Sequence, residues 1–179
     1  EKNFHLFLNL RKTGTDGYLN QLNIRIFFAD MFKQKISEFN NNCYVDPEIY
    51  RLASNEEIVD SIIKNAHEMN HALILFPVAL KSEHWILSSI WILGQKCHIV
   101  TADSLFTTSQ VSLETEKVTL RLKTICEIML PNNDTEIAFK KDLGIQNDLY
   151  NCGVFVCMYG RSFINAFIEG KSYVKCSKL

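Results

Sequence analysis

The sequence predicts an α+β domain: helices first, then a central sheet, then one more helix packing back on it. Three observations carry this. Apolar residues recur near helical spacing before position 70. The stretch from 72 to 104 is dense in β-branched and aromatic residues and contains a Gly-Gln turn. The run "CGVFVCMYGRSFINAFIEG" reads as a helix stopped by its last glycine. At 179 residues, 47% hydrophobic and 22% charged, the chain is large enough to bury one core.

Each element follows from local signals. The first dozen residues show no clear period, and "TGTDG" after them is a turn signal. Leu19, Leu22, Ile26, Met31, Ile36 and Phe39 place a helix over 19–39, which "NNNCYVDPEIY" breaks. Ser54 and Glu57 form a capping box, so a second helix starts there and runs to about Asn70 with Ile58, Ile62, Ile63 and Ala66 on its apolar face. "ALILFPVAL" is a buried strand, "HWILSSIWIL" a second, and "KCHIVTADS" a third that returns after the turn at Gly94 and Gln95. A helix spans about Val111 to Leu130 and ends at Pro131; "TEIAFKKDL" is a further strand, and the last helix spans about Cys152 to Ile168. With no repeat, linker or low-complexity tract, residues 1–179 read as one domain, and a start at Glu1 suggests a piece of a longer protein.

The bulk properties exclude several function classes. A formal net charge of −1 lacks the positive excess that nucleic acid or an anionic membrane demands. No apolar run is long enough to span a bilayer, and no signal peptide pattern opens the chain. None of the six cysteines forms a C-x-x-C pair, and Cys97, Cys126, Cys152 and Cys157 sit in apolar segments where a thiol behaves as a small hydrophobe. The expected setting is reducing and intracellular, cytoplasmic or nuclear.

Residues 67–71 read "HEMNH", the H-E-x-x-H pattern of zinc proteases. Its context argues against zinc. The motif falls on the last turn of its helix, a strand run follows His71 at once, and no downstream third ligand is evident. The expectation is no metal and no other cofactor. The pair reads instead as the polar C-terminal end of a structural helix, where histidine suits the negative end of the dipole.

A different constellation carries chemistry. Cys152 follows the loop-like "GIQNDLYN" and opens an apolar helix. The helix dipole and unpaired N–H groups there favour the thiolate, the nucleophilic form. Gly153 removes bulk beside it. Cys157, inside the helix, reads as a buried core cysteine. If the strands around Gly94-Gln95 form a hairpin, its outer ends bring His84 and Asp103 together, and such an aspartate fixes the imidazole tautomer and aims the ring. Taken alone, that pair is also compatible with a half-buried strand-end histidine beside a turn aspartate. Gln146, six residues before Cys152, can donate an amide N–H to a developing oxyanion together with the Cys152 backbone N–H; a loop glutamine is also commonly just solvated.

Together, His84-Trp85, "ADSL", Gln146 and "NCGVFVC" resemble the Ulp1/sentrin-specific protease family of cysteine peptidases over about 18–167. The resemblance extends to divergent members of the clan, including bacterial effector deubiquitinases, which would work in a host cytosol. It implies a papain-like α+β fold, with a central, mostly antiparallel sheet flanked by helices, the nucleophile at the N-terminus of a core helix, and the catalytic order permuted to His-Asp-Cys. It further implies Cys152 as nucleophile, His84 as general base and acid, Asp103 as its orienter and Gln146 as oxyanion donor. The implied reaction is cleavage after the C-terminal Gly-Gly of a ubiquitin-like modifier, SUMO or ubiquitin, in conjugates or precursors. Aromatic rings roof the glycine channel in the family: Trp85 matches one, and "YLNQ" in place of W-L-N-D makes Tyr18 the other. Flat rings around a strand leave room only for residues without a Cβ. Gln21 and Asn151 depart from the family's usual aspartates. Glu83 beside His84 is a candidate partner for the arginines of a ubiquitin tail. Two other readings use the same residues, an acyltransferase on the same triad and a modifier-binding module with a decayed site.

Overall fold

The computed structural model of the protein describes residues 19–35, 42–66, 69–105, 111–140, 143 and 151–175. Helix α1, Gln21–Lys35, begins where Asn20 and Asn23 cap each other. The Asn20 Oδ1 accepts from the Asn23 N–H at 3.0 Å and the Asn23 Oδ1 from the Asn20 N–H at 3.2 Å. The predicted continuation over 36–39, the turn at 13–17 and the first dozen residues lie outside the described residues.

The stretch expected to be only a break holds two short elements, β1, Asn42–Tyr44, and α2, Pro47–Leu52. Asp46 caps α2 by accepting from the Glu48 N–H at 2.9 Å, and Pro47 takes the first helical position, where its missing N–H has no partner to lose. Helix α3, Asn55–Asn65, starts with the expected capping box: the Ser54 Oγ accepts from the Glu57 N–H at 3.2 Å and the Glu57 Oε2 from the Ser54 N–H at 2.7 Å. It ends five residues earlier than predicted, because Ala66 turns to extended backbone and the chain is already entering the sheet at His71.

Strands β2, His71–Ala79, β3, Trp85–Leu93, and β4, Lys96–Ala102, form the antiparallel centre. Helix α4, Leu113–Met129, with Ser112 as its cap, leads to β5, Asp134–Lys140. Helix α5, Cys152–Ile168, has the predicted limits, and a short 3₁₀ turn follows at Tyr173–Lys175. The five-stranded sheet runs in chain order, β1 to β5. It is mixed, since both edge strands join in parallel.

Both faces of the sheet are covered. Trp91, Leu73, Leu75, Leu87, Val100 and Ala102 pack under α1 and α5, whereas Ile74, Phe76, Ile86, Ile90, Ile92 and Ile99 pack under α3 and α4. This explains why β2 and β3 read as continuous apolar runs rather than alternating ones. Pro77 is tolerated in β2. The Leu75 carbonyl, on the β1 side, takes the Val45 N–H at 2.8 Å, and Pro77, two residues on, turns its missing N–H to the same side beyond the end of β1.

Candidate active site

Two hairpin ends and one helix start converge at the site. Gly94 takes φ 65 in the tight β3–β4 turn, and the register that follows pairs Leu87 with Ala102. His84, the residue before β3, and Asp103, the residue after β4, therefore come side by side, as the hairpin argument expects. His84 Nε2 and Asp103 Oδ1 are 2.6 Å apart, and both side chains are buried. The same Oδ1 accepts the Leu105 N–H at 2.8 Å, so the carboxylate cannot swing away from the ring without losing a second bond.

Cys152 opens α5 and is buried at 2% exposure. The Asn151 side chain makes no cap hydrogen bond to this helix, whose first-turn N–H groups lie at the positive end of the dipole. Asp103 occupies Nε2 of His84, which leaves Nδ1 as the ring nitrogen for the thiol, and Cys152 lies within hydrogen-bonding reach of the ring. The backbone N–H groups of Trp85 and Gly153 also favour the charged form of the sulfur.

The electrostatics follow from these contacts. Burial works against a charged His84, but the hydrogen bonds to Asp103 and Cys152, and their negative charges, prevail and push its pKa up from 6.5 to about 9. Burial likewise opposes a Cys152 thiolate; the His84 hydrogen bond and charge and the two backbone donors outweigh it and hold the thiol below its ordinary 9.0. Both shifts favour the thiolate–imidazolium form of the pair. Burial alone pushes Cys157 well up and Cys43 to about 12, as suits inert thiols.

The other expected residues are placed as follows. Trp85 is half-buried at the start of β3, packed against the α1–α5 core. Gly153 is buried, and the bulk it avoids is the chain before α1: a Cβ there would lie 2.9 Å from Leu19 Cβ and 3.4 Å from Ile24 Cδ1. Glu83 is exposed in the turn before His84. Tyr18 and Gln146 lie outside the described residues, as do His67 and Glu68. His71 is the first residue of β2, its ring 4.6 Å from that of Phe167, so the H-E-x-x-H stretch does not form one helical face. Among the described residues no group of three His, Cys, Asp or Glu could hold a metal ion. None of the described helices is long and apolar enough to cross a membrane. Cys43, Cys97, Cys126, Cys152 and Cys157 are free thiols. Sequence reasoning missed the Trp85 N–H as a group that favours the charged sulfur, since a backbone group leaves no mark in residue types.

Several solved structures of low sequence identity share this fold. The Xanthomonas campestris effector protein XopD, solved bound to ubiquitin, is similar with a TM-score of 0.65 at 16% identity, covering 90% of this chain and 82% of that one. The yeast Ulp1 protease domain, solved in complex with the SUMO orthologue Smt3, is similar at 0.65 and 17% identity, over 87% and 67% of the two chains. The Chaetomium thermophilum Ulp1-like SUMO protease catalytic domain gives 0.60 at 17% identity, over 90% and 66%. These likenesses establish the shared fold. Comparison with curated proteins finds no match. The family model described as the Ulp1 protease family, C-terminal catalytic domain, matches residues 4–178 and so takes in the His84, Asp103 and Cys152 cluster together with the elements that build it; the chain belongs to the Ulp1 protease family.

Proposed function

We propose that the protein is a thiol isopeptidase that cleaves after the C-terminal Gly-Gly of a ubiquitin-like modifier, SUMO or ubiquitin, freeing it from substrate lysines or processing its precursor. The observation that supports this most is the 2.6 Å His84–Asp103 pair set against Cys152 at the start of α5. In this reading the Cys152 thiolate attacks the terminal glycine carbonyl, and the C–S bond forms as the tetrahedral oxyanion develops. The Cys152 N–H, with the Gln146 amide, stabilises that oxyanion. His84 gives its proton to the departing lysine amine as the C–N bond breaks, leaving a thioester. Neutral His84 then takes a proton from water, the hydroxide attacks, and the sulfur leaves as thiolate. Asp103 holds the tautomer throughout. Trp85 and Tyr18 are the roof residues of a channel too narrow for a Cβ, the missing Cβ of Gly153 leaves room for Leu19 beside the nucleophile, and exposed Glu83 is the partner for a basic residue of the tail. The reaction needs no metal or organic cofactor, and a thiolate nucleophile suits a reducing intracellular compartment.

The test is digestion of a SUMO precursor, a NEDD8 precursor and diubiquitin, with intact-mass readout. The proposal expects a product ending at Gly-Gly from at least one of them and none with Cys152→Ala. Acetyl transfer from acetyl-CoA to a protein acceptor, with no cleavage, would favour the acyltransferase. Tight modifier binding without turnover would favour a decayed binding module.

A further inference from the structure

The turn that presents His84 to the sulfur is held from outside by a helix that takes no part in the chemistry. Residues Lys81, Ser82 and Glu83 close the β2–β3 hairpin and are all exposed, so packing does not fix them. Glu83 is the one described non-glycine residue with positive φ, at 58°, a conformation that strains a residue with a Cβ. Within the turn, the Leu80 N–H donates to the His84 carbonyl at 2.7 Å and the Glu83 N–H to the Leu80 carbonyl at 3.1 Å. The tie to the rest of the molecule comes from Ser82. Its Oγ donates to Glu114 Oε2 at 2.9 Å, and its backbone N–H approaches the same oxygen at 3.4 Å. Glu114 stands in the first turn of α4, the helix entered by the segment that leaves Asp103.

These contacts close a ring. His84 meets Asp103 on the inside, and two residues before His84 the same hairpin turn meets α4 on the outside. The turn also sets the Trp85 N–H, so two of the groups that stabilise the thiolate depend on its position. We propose that Glu114 is a positioning residue, acting through Ser82 to hold the His84 ring and the Trp85 N–H against Cys152. This rests on the proposed role of Cys152 and His84, and it gives Glu114 a task beyond its favourable place at a helix N-terminus.

The test measures iodoacetamide alkylation of Cys152 against pH, mapped by mass spectrometry, alongside thermal melting. Glu114→Ala should slow alkylation at pH 6.5 by roughly 3- to 10-fold and move the profile to higher pH, with little change in melting temperature. Ser82→Ala should do so more weakly, because the backbone N–H remains, and the double variant should be no worse than Glu114→Ala. Glu114→Gln removes the charge but keeps the acceptor, so it should retain most of the wild-type profile. A wild-type profile in Glu114→Ala, or equal losses in Glu114→Gln and Glu114→Ala, overturns the clamp. If wild-type Cys152 is itself unreactive at pH 6.5, the proposed function falls and the clamp with it.

Discussion

Asp103→Asn isolates the charge that makes His84 a resident cation. The substitution keeps the shape of the side chain and an oxygen for the Leu105 N–H, but removes the anion 2.6 Å from Nε2. The rise of His84 from 6.5 to about 9, taken at ~1.4 kcal/mol per pH unit, corresponds to about 3 kcal/mol in favour of the imidazolium after burial has been overcome. Asp103 and Cys152 share that preference, and a buried hydrogen bond to a charged group is worth ~1.5–3 kcal/mol. The expected loss in kcat/KM is therefore about 10- to 100-fold, with the alkaline limb of the pH profile moving down from about 9 toward the ordinary histidine range. A fluorogenic modifier amide, followed from pH 5 to 10, reads both quantities. An alkaline limb that stays near 9 in Asp103→Asn would refute the assignment of the shift to Asp103, whatever happens to the rate.

Five further outcomes follow from the geometry. In the wild type, amide cleavage should fall above about pH 9 as His84 loses the proton the leaving amine needs, while Cys152 alkylation persists because the thiolate remains; parallel profiles for the two reactions would contradict this. The linked stability has opposite signs for the two groups. The contribution of His84 is complete below 6.5 and lost as pH rises through about 9, whereas that of Cys152 is complete above 9.0 and lost as pH falls through its lowered folded value, so where both groups titrate the two slopes offset each other and the urea midpoint should vary little with pH. Gly153→Ala sets a Cβ 2.9 Å from Leu19 Cβ and should destabilise by ~1–3 kcal/mol in urea denaturation and lower kcat/KM by displacing the segment before α1. Arg121→Met removes bonds to the Asn55 side chain and to the Tyr50 and Ala53 carbonyls, and a guanidinium 4.5 Å from the Tyr50 ring centroid. It should cost ~2–4 kcal/mol of stability yet leave kcat near wild type in the folded fraction. His67→Ala, His71→Ala and addition of a zinc chelator should each leave cleavage intact, and a loss of activity on chelation would revive the metal reading.

How much of this was legible depends on whether a feature is written in local residue order. The His84–Asp103 pair was readable because a two-residue turn at Gly94-Gln95 fixes hairpin register, and register fixes which ends meet. Cys152 was readable because a polar loop gives way abruptly to an apolar helix. The polar run before position 52 reads locally as a break, although Asp46, Pro47 and Glu48 also spell a helix start. The overlong helix through 70 came from extending a capped start without a stop signal; the pull of the β2–β3 ladder on His71, paired with Leu93, is a tertiary term that local periodicity cannot contain. The parallel joining of β1 and β5 and the Ser82–Glu114 tie across 32 residues are likewise properties of assembly.

The central claim is that Cys152, poised by His84 and Asp103, forms a covalent bond to the terminal glycine of a ubiquitin-like modifier. Ubiquitin, SUMO and NEDD8 carrying a thiol-reactive group in place of the C-terminal carboxylate test it most directly, with intact-mass detection and peptide mapping of the adduct. One-to-one labelling at Cys152 by at least one of the three is expected, abolished in Cys152→Ala and strongly slowed in His84→Ala. An unlabelled protein with all three probes, or labelling that survives in Cys152→Ala, would contradict it.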